Sequence, residues 1–305
     1  MKWNAANSPR KKIQTKAKAV QLTARAKINL ALHVTGQRDD GYHLLDTLVS
    51  FADSGDELRF EPADQLQLTI GGPEGGTLDG NDNNLIIKAA KALRAHVGRN
   101  DLGANIHLTK NLPVASGIGG GSADAACALR GLCQLWDLQV EDAELMQLGL
   151  SLGADIPMCL AGHPARVSGI GETLEPMPIQ PLNLVLANPR VAVSTPKVFQ
   201  GLSNKNNAPM GELVRYEDRS ARFWINYLMH QRNDLQAAAC AVAPPITDCL
   251  AALEKLPDCM LARMSGSGAT CFGIFENPGE AAYAAHELRN QHRDWWVLPI
   301  RTIAG

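Results

Sequence analysis

Between residues 26 and 34 the chain alternates, with Ala26, Ile28, Leu30, Leu32 and Val34 apolar and Lys27, Asn29 and His33 among the residues between them. A period of two marks a half-buried strand, and it places Lys27 and Asn29 together on the other face, about 7 Å apart along the chain. Over 84–96 the period becomes helical, with Leu85, Ala89, Ala92 and Leu93 on one face. Ala125, Leu129, Leu132 and Trp136 repeat at the same spacing. A further helix is expected over 141–152, ended by Gly153-Ala-Asp155-Ile-Pro157. Strands are expected at 66–70 and 104–108. The C-terminal part predicts a helix over 246–255, strands over 259–264 and 269–275, a helix over 279–289 and a last strand over 295–303. Strands and helices mix in both halves, so the fold class is α+β, with a boundary near Pro176 and Pro181. No repeat of 20–50 residues is visible.

Composition narrows the function classes. In 305 residues, 45% are hydrophobic and 20% charged, enough for a sizeable core. Aromatics are only 5%, which disfavours a stacking platform for single-stranded nucleic acid. No apolar run reaches the roughly 20 residues needed to cross a bilayer, and no secretory signal opens the chain, so a cytoplasmic protein is expected. The seven cysteines form no CxxC and no zinc spacing, and are read as reduced thiols in apolar packing. Six of the 29 basic residues lie in the first 20 positions, leaving 23 against 31 acidic ones and a net charge of -8 for the remainder. A basic tail over 1–20 is expected to be a disordered extension and not a nucleic-acid or targeting segment, because the body offers no matching basic patch.

The segment Pro113-Val114-Ala115-Ser116-Gly117-Ile118-Gly119-Gly120-Gly121-Ser122-Ala123 is the most unusual in the chain. Glycines permit positive φ and close backbone approach, and the helix that follows begins with unpartnered N–H groups and a positive dipole end. Together they suit a phosphate. Neither GxxxxGK[ST] nor GxGxxG is present. A sharp structural turn is the other reading of these glycines. Ser265-Gly-Ser-Gly268 reads as a second tight turn, for which a simple hairpin is a rival explanation.

The 113–122 segment resembles the phosphate loop of the GHMP kinase superfamily, which includes galactokinase, homoserine kinase and mevalonate kinase. Lys27 in an N-terminal strand and the 265–268 turn match in the same order. Ala26-Lys-Ile-Asn-Leu30, Asp40-Gly-Tyr-His43, Asn84-Leu-Ile86, Leu152-Gly-Ala-Asp-Ile-Pro157 and Gly266-Ser-Gly-Ala269 extend the resemblance from about residue 24 to the C-terminus. Asp40-Gly-Tyr-His43 points to the members that act on a cytidine-diphosphate-linked polyol in non-mevalonate isoprenoid precursor synthesis. Ala123 stands where the family often has a second serine, and Asn83 where an aspartate is usual.

The resemblance implies a two-domain architecture: a nucleotide-binding domain over 21–178, similar to ribosomal protein S5 domain 2, and a ferredoxin-like domain over 179–305. It implies an ATP-dependent kinase with Mg2+, taking ATP and the cytidylyl polyol, free of nucleic acid and membrane, as a monomer or weak homodimer. Asp155 is expected to act on the acceptor hydroxyl as base or orienter, and Lys27 to neutralise the transferring phosphoryl group. ATP contacts are implied for the 113–123 loop, Lys110 and Asn84. Substrate contacts are implied for Asn29, Tyr42, His43 and Thr195. No protein ligand for the metal can be named.

Overall fold

The computed structural model describes residues 18–211 and 220–305. The expectation for the basic tail falls almost wholly outside them, and strand β1 (Val20–Gln37) already includes the last position assigned to it.

β1 pairs antiparallel with β2 (His43–Ala63), a strand that the mixed polar pattern of 43–63 does not announce. β2 is long enough to serve two neighbours: its second half pairs with β4 (Gly103–Thr109) and its first half with β5 (Ala165–Gly169). β3 (Leu66–Gly71) lies parallel to β4, and β6 (Thr173–Pro176) closes the other edge of this six-stranded sheet. β1 departs from the half-buried reading, because residues 26–34 are buried on both faces. Ala26, Ile28 and Leu30 join a core with Leu184, Leu186, Phe272 and Ile274 of the C-terminal sheet, so a second sheet covers the side the alternation assigned to the core. Lys27 and Asn29, on the opposite face, are themselves only 4% and 3% exposed.

Helix α1 (Leu85–His96) starts at Asn84, whose side chain accepts the Ile86 N–H at 3.0 Å. Helix α2 (Gly120–Leu135) is built of small residues and is buried along nearly its whole length. It sits so close to the sheet that a Cβ on Gly131 would lie 2.2 Å from the Phe60 ring. Helix α3 (Asp142–Leu152) has Asp142 and Glu144 in its first turn, where the helix dipole favours acids. The short α4 (Ile156–Ala161) follows directly, with Pro157 in its first turn.

The C-terminal sheet runs in the order β10-β7-β9-β8, formed by β7 (Asn183–Asn188), β8 (Leu261–Met264), β9 (Cys271–Phe275) and β10 (Trp296–Arg301). Helices α5 (Thr195–Gln200), α6 (Ala221–Met229), α7 (Gln236–Val242) and α8 (Pro245–Glu254) lie between β7 and β8, and α9 (Pro278–Gln291) between β9 and β10. This is the ferredoxin-like split β-α-β pattern. The 265–268 turn does join two antiparallel strands, β8 and β9. Among the described residues no helix is long and apolar enough to cross a membrane, and all seven cysteines are free.

Candidate functional site

A cleft of about 560 Å3 opens where β1, α2, α4 and the 265–268 turn converge. Lys27 stands in its wall at a register shift of β1, its backbone N–H donating to Ile118 O at 2.9 Å. Its Nζ donates to Asn29 Oδ1 at 2.9 Å and to Asp155 Oδ2 at 3.1 Å. Asp155 precedes α4 and caps no N–H with its side chain, so its carboxylate is left to the cleft. The Lys27 side chain is 5% exposed and that of Asp155 43%, a buried cation behind an open carboxylate. The Asn29 amide is oriented by what stands behind it. Thr47 Oγ1 donates to Ala31 O at 2.6 Å, so it accepts Asn29 Nδ2 at 2.8 Å, and Oδ1 is turned towards Lys27.

The two glycine segments interlock. Gly117 and Gly119 have φ of 75° and 66°, the left-handed region. A Cβ on Gly117 would lie 2.6 Å from Gly268 O, and one on Gly266 would lie 2.7 Å from Gly117 O. Ser265 Oγ donates to Gly117 O at 3.2 Å and accepts the Asn29 N–H at 3.0 Å. Asn233 Nδ2 donates to Met264 O and Gly266 O, each at 2.8 Å, holding the turn from below. Ala123 N–H makes the first bond of α2, to Gly119 O at 2.8 Å. The N–H groups of Gly120, Gly121 and Ser122 therefore have no acceptor within the helix.

Not every residue of the 113–123 stretch faces this cleft. Pro113, Val114, Ala115, Ser116, Gly117 and Gly119 line it, as do Gly120, Gly121 and Ser122. Ile118 and Ala123 turn their side chains into the core, at 0% and 3% exposure, so any part they take is through backbone. Asn84 lines the cleft while capping α1. Lys110, expected in the ATP site, lines it too, with its ammonium paired to Asp56 and Asp124, the latter at 2.8 Å. Burial works to lower the Lys110 pKa, and the two carboxylates outweigh it and hold the group above its ordinary value.

At the other end Asn29, Thr195 and Phe199 line the cleft, with Thr195 Oγ1 2.7 Å from Ser267 Oγ. His43 does not line it. Its ring stacks on that of Phe199 at 4.7 Å. Tyr42 is 61% exposed and stands outside the cleft walls. Burial, then the nearby Lys205, lowers the His43 pKa, so the ring is neutral near pH 7. His43 Nε2 is buried with no hydrogen-bond partner among the described residues.

Sequence reasoning missed Phe199, Thr47, Asn233, Asp56 and Asp124. Phe199 carried a usable signal, since it follows Thr195 by one helical turn. The other four are ordinary polar residues whose neighbours come from distant segments. Among the described residues no group of three or more His, Cys, Asp or Glu is placed to hold a metal ion. The open N-terminus of α2 fits phosphate oxygens, which would carry such a cation with them.

The chain matches the GHMP kinases N terminal domain over residues 84–163 and the GHMP kinases C terminal model over 223–294. It is 52% identical over 285 residues to the 4-diphosphocytidyl-2-C-methyl-D-erythritol kinase of Cereibacter sphaeroides, covering 92% of this chain and 98% of that one. The chain belongs to this family of GHMP kinases. The kinase of the same name from Ruegeria pomeroyi is 52% identical over 93% of this chain and 100% of its own. A solved 4-(cytidine 5'-diphospho)-2C-methyl-D-erythritol kinase superposes with a TM-score of 0.77 at 31% identity, covering 94% of this chain and 100% of that one. Homoserine kinase from Cytophaga hutchinsonii shares the fold at a TM-score of 0.68 and 16% identity, covering 96% of each chain. The two-domain GHMP kinase fold and kinase activity expected from the resemblance are thus shown by relatives spanning nearly the whole chain.

Proposed function

We propose that this GHMP kinase transfers the γ-phosphoryl group of ATP to a hydroxyl of 4-diphosphocytidyl-2-C-methyl-D-erythritol, giving the 2-phosphate and ADP. The observation that carries the reading is the Lys27–Asp155 pair, 3.1 Å apart in the wall of a cleft whose other wall is the open N-terminus of α2. Phosphoryl transfer asks for positioning and charge neutralisation more than covalent chemistry. The N–H groups of Gly120, Gly121 and Ser122 face the growing charge on the leaving β-phosphate. Asp155 accepts the hydrogen bond of the acceptor hydroxyl and takes its proton as the new P–O bond forms. Lys27, held by Asn29, fixes the rotamer of Asp155 and places a positive charge beside the group in flight. The ATP phosphates would hold Mg2+, which when bound would supply further charge neutralisation there.

Phe199 offers a flat apolar face at the acceptor end for a cytosine ring, and exposed Tyr42 is a side chain able to close over the other face. His43 stacks on Phe199 from outside the cleft walls with its Nε2 buried, so it steadies the ring on which the base would lie. Asn29 and Thr195 hold the polyol end. Ligands of this kind need no nucleic acid and no membrane, and we place the reaction in the cytoplasm, carried out by a monomer or weak homodimer.

Coupled ADP release with MgATP tests the reading, offering the cytidylyl methylerythritol beside homoserine, mevalonate and galactose. Turnover with the cytidylyl acceptor alone is expected. Turnover with one of the others instead would keep the kinase and remove this substrate.

A further inference from the structure

The charges beneath the glycine loop oppose an anion. Asp56 on β2 and Asp124 on α2 share the single ammonium of Lys110. Asp56 is wholly buried and uses Oδ1 to accept the N–H groups of Asn111 at 2.6 Å and Leu112 at 2.9 Å. Asp124 is 4% exposed, lines the cleft, and has its Oδ1 without a hydrogen-bond partner among the described residues. The cluster lies directly under the first turn of α2, since a Cβ on Gly120 would be 3.0 Å from Lys110 Nζ and 3.8 Å from Asp56 Oδ2. Two carboxylates and one ammonium leave an excess negative charge behind the N–H groups proposed to receive phosphate. Such a charge is costly to bury and repels what the loop attracts.

We propose that Asp124 takes up a proton when nucleotide phosphate occupies the glycine loop, on its unpartnered Oδ1, so that the Asp56–Lys110–Asp124 cluster becomes neutral. The inference rests on the nucleotide reading above and makes Asp124 a positioning residue for the phosphates. Burial pushes the Asp124 carboxyl up to about 7, with Lys110 pulling it down and Asp56 adding to the rise. Cys127, one turn along α2, and Cys159 on α4 feel its charge. Burial pushes both thiols up to about 12, so neither titrates in this range. Lys27 on β1 is engaged with Asp155. The free protein is therefore partly protonated at Asp124 near neutrality, and a polyphosphate bound at the loop above it favours the protonated form further. By linkage, nucleotide affinity falls as pH rises above about 7, by up to about tenfold per unit until the pKa of the bound state is passed.

Calorimetric titration of the whole chain with MgADP tests this at about pH 8, where the diphosphate is fully ionised, in buffers of different ionisation enthalpy. The wild type is expected to take up a proton fraction approaching one. Asp124→Asn, which keeps the shape and removes the titration, is expected to bind with no uptake and with affinity flat in pH. Asp56→Asn supplies a second test independent of changes at Asp124, because Lys110 then serves Asp124 alone and the uptake falls. Binding without uptake in the wild type, or uptake unchanged in both variants, overturns the proposal and leaves the nucleotide site standing. No binding of MgADP at all removes both.

Discussion

Lys27 and Asp155 are 128 positions apart, and neither is unusual in its own stretch of chain. Their value comes from contact: an ammonium at 5% exposure keeps a 43% exposed carboxylate in one rotamer against the cleft. Asp155→Asn is expected to lower kcat by roughly 10²–10⁴, the usual range for a lost general base, with KM for MgATP changed by only a few-fold. A comparable rise in that KM would show that Asp155 serves nucleotide binding instead. Lys27→Met should lower kcat by on the order of 10²–10³. For His43 the direction of the shift sets the pH dependence. Its pKa is lowered from 6.5, so the ring is neutral at pH 7 and gains its proton only on acidification. KM for the cytidylyl substrate is expected to rise as pH falls through the acid side of the ordinary histidine range, and the rise should vanish in His43→Gln.

At the scale of elements, α2 and the β8–β9 turn are held by backbone-to-backbone fit. Alanine at 117 would need φ of 75° and a Cβ 2.6 Å from Gly268 O. Gly117→Ala is expected to cost about 1–3 kcal/mol and to raise KM for MgATP on the order of tenfold, read from urea unfolding and initial rates. Asn84→Ala should remove the cap of α1 for about 1 kcal/mol. Because Asn84 also lines the cleft, that loss should be accompanied by weaker nucleotide binding.

Over the whole molecule, the cleft depends on the two sheets staying in register. Arg263 is buried in β8 with no carboxylate partner among the described residues, donating to Leu30 O at 2.8 Å, Leu228 O at 2.8 Å and Gln231 O at 2.7 Å. Burial lowers its pKa to about 10, so it stays charged at neutral pH and ties β1 to the end of α6. Asn233 does the same for the 265–268 turn. MgADP at 100 times its Kd should stabilise the fold by about 2.7 kcal/mol. In Asn233→Ala the rise in Tm at the same nucleotide concentration should be smaller, since two carbonyls of the turn lose their donor and the loop it braces loosens. An equal rise in both proteins would disprove that brace.

Local pattern alone determined a good deal. The alternation at 26–34, the helical spacing after Gly119 and the glycine punctuation at 117–121 and 265–268 are short-range properties, legible because one element's geometry imposes them. A glycine-opened helix suits phosphate wherever it packs, but the kinase chemistry was legible only through the resemblance of these motifs to a known family. What the tertiary structure decided is everything that needs two distant segments. β2 lacks a clean period because its halves serve different neighbours. β1 is buried on both faces because a second sheet covers it. Lys110 takes Asp56 and Asp124, residues of two other elements, as its partners. His43 stands behind Phe199. Electrostatic and packing partners are set by distances through space, which the order of residues along the chain does not carry until it folds.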